Sequence, residues 1–143
     1  MQKLSNYMAN QRYWLFVTNN DNWKVVRDND IYGFNDRTKK DLEKLNLGDL
    51  AVIYIKGKNI GGIFEITSLN EQTNIKFKVE DYPYKIKLRK ICVPIMPVEF
   101  DKNMVGKISI FKDKAHWGTI LMGRATKEIT KQDYDYFREI LEC

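Results

Sequence analysis

The chain has 143 residues, a length that suits one compact domain with a buried core. Hydrophobic residues make up 43% and charged residues 30%, and this globular composition excludes a mainly disordered chain. The formal net charge is +5, from 24 Lys and Arg against 19 Asp and Glu. A surplus of this size is modest and does not by itself establish a nucleic-acid partner.

The apolar stretches and the cysteines bear on where the protein works. Stretches such as residues 50–55 are far shorter than the ~20 residues that span a bilayer, so we expect no membrane partner. Residues 1–12 lack the apolar stretch of a secretory signal, which predicts a cytoplasmic protein with reduced thiols. Cys92 and Cys143 do not resemble a disulfide framework or a ligand pair, and we interpret both as structural or incidental.

The N-terminal part of the chain predicts a strand followed by short helices. The apolar-aromatic run at 13–17 is bounded by polar residues and is too short for a helix, so it predicts a buried strand. The Asn- and Asp-rich cluster at 18–22 can cap a helix, and one or two helical turns are predicted at 23–30. Asn35 or Asp36 can cap a second helix.

The middle of the chain predicts a β-hairpin. Residues 50–56 are rich in β-branched and aromatic side chains, which favour a strand. Turn residues follow at 57–59, and a second strand is predicted at 60–69. Gly61 and Gly62 inside the second strand predict a bulge or a sharp bend.

Further strands and helices are predicted after the hairpin. Apolar and basic residues alternate at 75–79, which predicts a half-buried strand. A long strand is predicted at 85–95, with a bulge at Arg89 and Lys90 because the parity of the apolar positions changes there. The remaining predicted elements are a short helix at 106–112, a short strand at 118–123, and a final helix opened by a capping box of Thr130 and Asp133.

These elements sum to about six strands with a few short helices. The short connections between consecutive strands favour antiparallel pairing, curled toward a barrel. We therefore predict a single domain over residues 1–143, of α+β class, with a mixed or antiparallel sheet and helices packed outside it.

The sequence shows no recognisable catalytic constellation. A catalytic triad needs a histidine, and His116 is the only one in the chain. No G-x-S-x-G motif surrounds Ser5, Ser68 or Ser109. One histidine with two distant cysteines does not match a zinc site, and no phosphate-binding loop occurs. We therefore predict no enzyme activity, no metal and no cofactor.

Aromatic and basic residues are the chemistry that the sequence does carry. Aromatic clusters lie beside polar loops at 13–23, 32–34 and 116–117, where they can wall a pocket or simply fill the core. Residues 75–92 hold six basic residues against two acidic ones. Alternating basic side chains on a strand can follow a phosphate backbone or form a solvated sheet face.

Seven segments taken in order resemble the EVE-domain family, over about residues 12–140. They are YWLFVTNNDNW at 13–23, IYG at 31–33, LGDLAVIYI at 47–55, IGGIFEITS at 60–68, Tyr-Pro at 82–83, KISIFKDKAHWG at 107–118 and ITKQDYDYF at 129–137. The resemblance implies the PUA-like fold, which is similar to that of YTH domains, readers of methylated adenine in RNA. It also implies a small pocket that receives a modified base of DNA or RNA without a reaction.

The resemblance further implies a set of ligand-binding residues. They are Thr18, Asn19, Asn22, Trp23, Tyr32, Gly33, His116, Trp117 and Arg124. Tyr32 stands where the family commonly has tryptophan, so an aromatic face is kept and a hydroxyl is added. Trp23, Tyr32 and Trp117 are expected to wall the pocket, and Thr18, Asn19, Asn22 and Gly33 to read the edge of the base.

Three hypotheses follow from these observations. The first is a non-catalytic module that binds nucleic acid with a modified base, with Lys85, Lys87 and Arg89 contacting the backbone. The second is a small-molecule binder that takes a free nucleotide or another purine-like ligand. The third is an enzyme acting on nucleobases, with His116 or a carboxylate as the base. For each we expect a monomer.

Overall fold

The computed structural model describes residues 10–77, 81–109, 111 and 125–143. The strands in these residues are β1 (Tyr13–Thr18), β2 (Ile31–Phe34), β3 (Leu50–Ile55), β4 (Asn59–Ser68), β5 (Tyr84–Cys92), β6 (Val98–Glu99) and β7 (Thr126–Ile129). The helices are α1 (Asn20–Asn29), α2 (Lys39–Leu42), α3 (Lys102–Val105) and α4 (Lys131–Ile140).

The strands form one curled mixed sheet in the order β2-β5-β4-β3-β1-β7, and the short β6 pairs with β4. The pair β1 and β3 is parallel, whereas the pairs β1–β7, β2–β5, β3–β4, β4–β5 and β4–β6 are antiparallel. The predicted α+β class and curled mixed sheet are confirmed. A half-barrel of six main strands results, with short helices around it.

Both faces of the sheet are covered, which explains why β1 is apolar along its length. Trp14 and Phe16 face one core, where they meet Val26 of α1. Leu15 faces the opposite core with Phe137 of α4. Alternate side chains of a strand point to opposite faces, so a run without polar residues fills both cores at once.

Several element boundaries differ from the sequence prediction. Residues 31–34 and 126–129 are strands that the pattern did not predict, and residues 75–77 form no strand. The short helix predicted at 106–112 instead occupies Lys102–Val105. The strand predicted at 118–123 lies outside the described residues.

Two predicted irregularities of the sheet are present. The β3–β4 register passes from Ile53–Gly62 to Tyr54–Ile60, so Gly61 is the extra residue of a bulge. The register of β4 and β5 shifts between Lys90 and Cys92, one residue beyond the predicted bulge. A Cβ atom at Gly61 would lie 2.7 Å from Cη2 of Trp23, so glycine is required where α1 packs on the sheet.

We expect Gly61→Ala to lower the free energy of unfolding by about 1–3 kcal/mol, because the added Cβ would overlap with the buried Trp23 ring. Urea unfolding measures the change. Thr67→Ser, at an exposed position of the same strand, keeps the hydroxyl that donates to the Lys87 carbonyl and is the control; it should stay within about 0.5 kcal/mol of wild type. Equal stability of Gly61→Ala and wild type would contradict this packing.

The two cysteines correct the sequence prediction. Cys92 on β5 and Cys143 at the end of the chain form a disulfide, with Cα atoms 6.2 Å apart. The pairing closes a loop of 51 residues and holds the end of α4 against the sheet. Sequence spacing carries no signal for it, since the fold alone brings the two thiols together.

Candidate functional site

A cleft of about 340 Å³ opens where β1 ends and α1 begins. Its volume is in the range of small-molecule pockets. The residues lining it are Val17, Thr18, Asn19, Asn22, Tyr32, Gly33, Asn35, Arg37, Thr38, Lys56, Phe77, Tyr82 and Ala125. The cleft therefore collects residues from β1, α1, β2, the end of β3 and the segment before β5.

The start of α1 sets the polar side of the cleft. Asn19 is the N-cap, and its Oδ1 accepts a hydrogen bond of 2.8 Å from the backbone N–H of Asn22. This cap turns the chain sharply after Thr18 and brings Thr18, Asn19 and Asn22 to one side of the cleft. The positive end of the helix dipole also points to this region.

Asn22 carries a buried acceptor without a partner. The residue is 5% exposed, and its Nδ2 donates to the Tyr82 hydroxyl at 3.3 Å. Its Oδ1 has no hydrogen-bond partner in the part of the chain that the structure describes. A buried polar atom left unpaired costs about 1–3 kcal/mol, so an N–H group of a ligand in the cleft would be stabilised there.

Tyr32 contributes its aromatic ring to the cleft, whereas its hydroxyl is bonded within the protein. The hydroxyl donates to the carbonyl oxygens of Val17 and Ala125, at 2.5 and 3.1 Å. Burial raises the pKa of Tyr32 far above its ordinary value, so the phenol stays protonated. Its one proton is already used inside the protein, and the hydroxyl is therefore not a donor for a ligand.

Phe77 and Tyr82 supply further aromatic surface in the cleft. Their ring centroids are 5.1 Å apart in an edge-to-face arrangement. Gly33 allows their approach, because a Cβ atom there would lie 2.6 Å from Cβ of Tyr82 and 2.7 Å from Cε2 of Phe77. Neither residue was among the predicted site residues, although the Tyr-Pro pair at 82–83 was a signal.

Arg37 and Lys56 give the cleft its positive charge. Both are exposed lining residues, and no carboxylate occurs among the lining residues that the structure describes. A reciprocal turn presents Arg37: the Asn35 N–H donates to Thr38 Oγ1, and the Thr38 N–H donates to Asn35 Oδ1, both at 3.0 Å. Local sequence patterns could not find this pair, because the tertiary fold brings residues 37 and 56 to one cleft.

The structure brings together five of the predicted ligand-binding residues. Thr18, Asn19, Asn22, Tyr32 and Gly33 line the cleft. Trp23 does not: it is 4% exposed, and its ring packs edge-on against Phe64 with centroids 6.2 Å apart. Trp23 is therefore a core residue, which was the alternative interpretation of the aromatic clusters. The prediction that it walls the pocket is wrong. His116, Trp117 and Arg124 lie outside the described residues.

The three predicted backbone-contacting residues form contacts within the protein. Lys85 Nζ donates to the Tyr82 carbonyl at 2.8 Å, behind the wall of the cleft. Lys87 Nζ donates at 3.2 Å to the carbonyl of Asn29, the last residue of α1. Arg89 forms an ion pair with Glu65 across the strands. Contact of these residues with phosphates stays a prediction.

Neither a cluster of metal ligands nor a membrane-spanning helix occurs among the described residues. No group of three or more His, Cys, Asp or Glu side chains in them is placed to hold a metal ion. No helix in the same part of the chain has the length and apolar character needed to cross a membrane.

Two relatives match nearly the whole chain. A UPF0310 protein of Pyrococcus abyssi is 36% identical over 144 residues, with 90% of this chain and 99% of the relative covered. A UPF0310 protein of Pyrococcus horikoshii is 27% identical over 148 residues, covering 90% and 98%. Each alignment therefore covers nearly the full length of the relative.

Solved structures share the fold at low sequence identity. The complex of the YTH domain-containing protein mmi1 with RNA is similar with a TM-score of 0.64 and 12% identity, over 92% of this chain and 81% of that one. An NMR structure from Rhodopseudomonas palustris has a TM-score of 0.57 and 17% identity, over 92% and 93%. The fold is thus YTH-like and PUA-like. The EVE domain family model matches residues 12–140, and the chain belongs to the EVE-domain family.

Proposed function

We propose that the protein is a nucleic-acid-binding module that takes a modified base, for example a methylated base of DNA or RNA, into the cleft. The observation that carries the proposal is the unpartnered Oδ1 of buried Asn22, a residue that lines a cleft with aromatic surface. The similar mmi1 structure is a complex with RNA, which supports a nucleic-acid ligand.

The proposed mode of binding is energetically reasonable. Extruding a base costs a few kcal/mol in duplex and less in single strands. Stacking on an aromatic side chain returns about 1–3 kcal/mol per base, and Phe77, Tyr82 and Tyr32 provide rings at the cleft. Burial of a methyl group adds about 0.8 kcal/mol, which corresponds to about a fourfold preference.

Binding without chemistry is the proposed activity. The described residues that line the cleft include no carboxylate, histidine or cysteine, the side chains that most often act as general bases or nucleophiles. Asn22 can accept a hydrogen bond from a base N–H, and the aromatic side chains can enclose the ring. These interactions select a ligand by shape and desolvation.

Fluorescence polarisation tests the proposal with labelled single-stranded 9-mers of RNA and DNA. Each carries N6-methyladenine, 5-methylcytosine or the unmodified base at its centre. We expect one methylated probe to bind about fourfold more tightly than its unmodified form. Asn22→Ala should weaken that binding by about twofold to tenfold, because one hydrogen bond is lost.

The control for this experiment is Asn70→Ala, which removes an exposed amide that is not among the lining residues and should leave the affinity unchanged. Failure of every oligonucleotide to bind at low salt would reject a nucleic-acid-binding role. Binding that depends on neither the methyl group nor Asn22 would reject the cleft as the site.

The volume of the cleft is also compatible with an alternative ligand, a free nucleotide. About 340 Å³ accommodates a single nucleoside without any polymer attached. Competition of the labelled 9-mer with a mononucleotide carrying the same base separates the two functions. A polymer reader prefers the 9-mer, whereas a small-molecule binder gives equal affinity for both.

A further inference from the structure

We infer that Arg37 and Lys56, on the rim of the cleft, hold the phosphodiester groups beside the bound base. This inference rests on the proposed function and assigns the backbone contact to a different surface from the predicted one on β5. The rim is defined by these two residues, which both line the cleft.

The charge of the cleft supports this assignment. Among the described residues that line it, two are cations and none is an acid. Lys56 forms no ion pair within the described part of the chain. The start of α1 adds the positive end of a helix dipole to the same region. An anionic group attached to the base therefore enters a favourable potential.

The backbone of the protein fixes the position of each cation. The Lys56 N–H donates to the Thr18 carbonyl at 2.8 Å, which ties the end of β3 to the end of β1. Lys56 also precedes a tight turn in which Gly57 and Lys58 both have positive φ values. Arg37 lies within the reciprocal turn of Asn35 and Thr38. Both cations thus extend from braced turns at the cleft.

The basic residues of β5 make contacts within the protein. Arg89 pairs with Glu65, and Lys90 pairs with Asp30. Lys85 and Lys87 donate to carbonyl groups that belong to the cleft wall and to the end of α1. These contacts position parts of the protein, so loss of Lys85 or Lys87 acts through the fold rather than through a phosphate.

A salt titration tests the inference with the tighter of the methylated single-stranded 9-mers. The variant Arg37→Gln/Lys56→Gln should lower the magnitude of the slope of log Kobs against log salt concentration by about 1.4, since each single-strand phosphate contact contributes about 0.7. The same variant should bind the uncharged methylated nucleoside as wild type does, measured by competition. Both residues are exposed, so the double variant is expected to fold normally.

Two double variants serve as comparisons. Lys131→Gln/Arg138→Gln removes the same charge from α4, which packs on the opposite core, and should leave the slope unchanged. Lys85→Gln/Lys87→Gln should also leave the slope unchanged. A slope that falls for the β5 variant and not for the rim variant would overturn the inference. Equal falls for the rim and α4 variants would overturn it as well, because they indicate an unspecific charge effect.

Failure of the inference is distinguishable from failure of the proposed function. If the 9-mer binds and the slope of log Kobs against log salt concentration is the same for wild type and Arg37→Gln/Lys56→Gln, only the rim assignment is wrong. If no 9-mer binds the wild-type protein, the proposed function is wrong and the rim assignment falls with it.

Discussion

Replacement of Asp49 by alanine is expected to lower the free energy of unfolding by about 3 kcal/mol or more, since three donors lose their acceptor. Asp49 is 1% exposed. Its Oδ1 accepts from the Arg12 N–H at 3.1 Å. Its Oδ2 accepts from Trp14 Nε1 at 2.9 Å and from the Asn46 N–H at 3.0 Å. The Asp49 carboxylate therefore links the residues that precede β1 and β3 to the start of β1.

Guanidinium unfolding measures the effect, with Asp135→Ala as control. Asp135 is an exposed residue of α4 that pairs with Lys131, so its loss should cost less than about 1 kcal/mol. If Asp49→Ala fails to fold, Trp14→Phe provides a second measurement. It removes one hydrogen bond to a charged group and should cost about 1.5–3 kcal/mol. A loss under 1 kcal/mol for Asp49→Ala would refute the importance of this network.

Gly33→Ala is expected to weaken oligonucleotide binding by about tenfold or more. The added Cβ would lie 2.6 Å from Cβ of Tyr82 and 2.7 Å from Cε2 of Phe77, so the aromatic pair must shift. Residues 71–77 and 81–83 are outside helices and strands, and this segment is therefore the part that gives way. Displaced rings lose stacking worth about 1–3 kcal/mol, and 1.4 kcal/mol is a factor of ten.

The control for Gly33 is Gly62→Ala, the same chemical change outside the lining residues. Its Cβ would lie 2.9 Å from the Cys92 carbonyl oxygen and from Cγ2 of Val93. This variant should lose stability but bind the methylated 9-mer within about twofold of wild type when folded. Polarisation titrations compare the two variants at a temperature where both are folded. Equal affinities for the two would contradict the role of the Phe77–Tyr82 pair.

The elements predicted best are those whose signal is local. The continuous apolar run of β1 and the turn chemistry at 57–59 define a buried strand and a hairpin without reference to the rest of the chain. Thr130 caps α4 as predicted, because its Oγ1 accepts from the Asp133 N–H at 3.0 Å. Such features depend on a few neighbouring residues. The other half of the predicted capping box is replaced, since the Asp133 carboxylate accepts from the N–H and the hydroxyl of Ser109 at 2.9 and 2.6 Å.

The elements predicted poorly depend on distant partners. The strand β2 is only four residues long and contains Gly33, and it forms a strand because it pairs with β5. Residues 75–77 show the alternation of a strand, and Ile75 and Phe77 do face the core, but no ladder forms there. The alternation of apolar and basic side chains therefore predicted the burial of Ile75 and Phe77 correctly, but it predicted their secondary structure wrongly.

The candidate site divides in the same way. Thr18, Asn19 and Asn22 lie in one short segment around the N-cap of α1, and the family resemblance was enough to indicate them as site residues. Arg37, Lys56 and Phe77 come from separate segments that only the sheet topology brings together. Trp23 was misplaced because a tryptophan beside a polar turn has the same sequence pattern whether it faces a cleft or the core.

The most direct test of the account is a titration followed in ¹H–¹⁵N correlation spectra, with the methylated single-stranded 9-mer as ligand. Because the base is proposed to enter the cleft, the largest shifts are expected for the Asn22 side-chain amide and the Gly33 backbone amide. Unchanged Asn22 and Gly33 signals, with shifts confined to residues 85–90 of β5, would contradict a base-binding cleft between β1, α1 and β2.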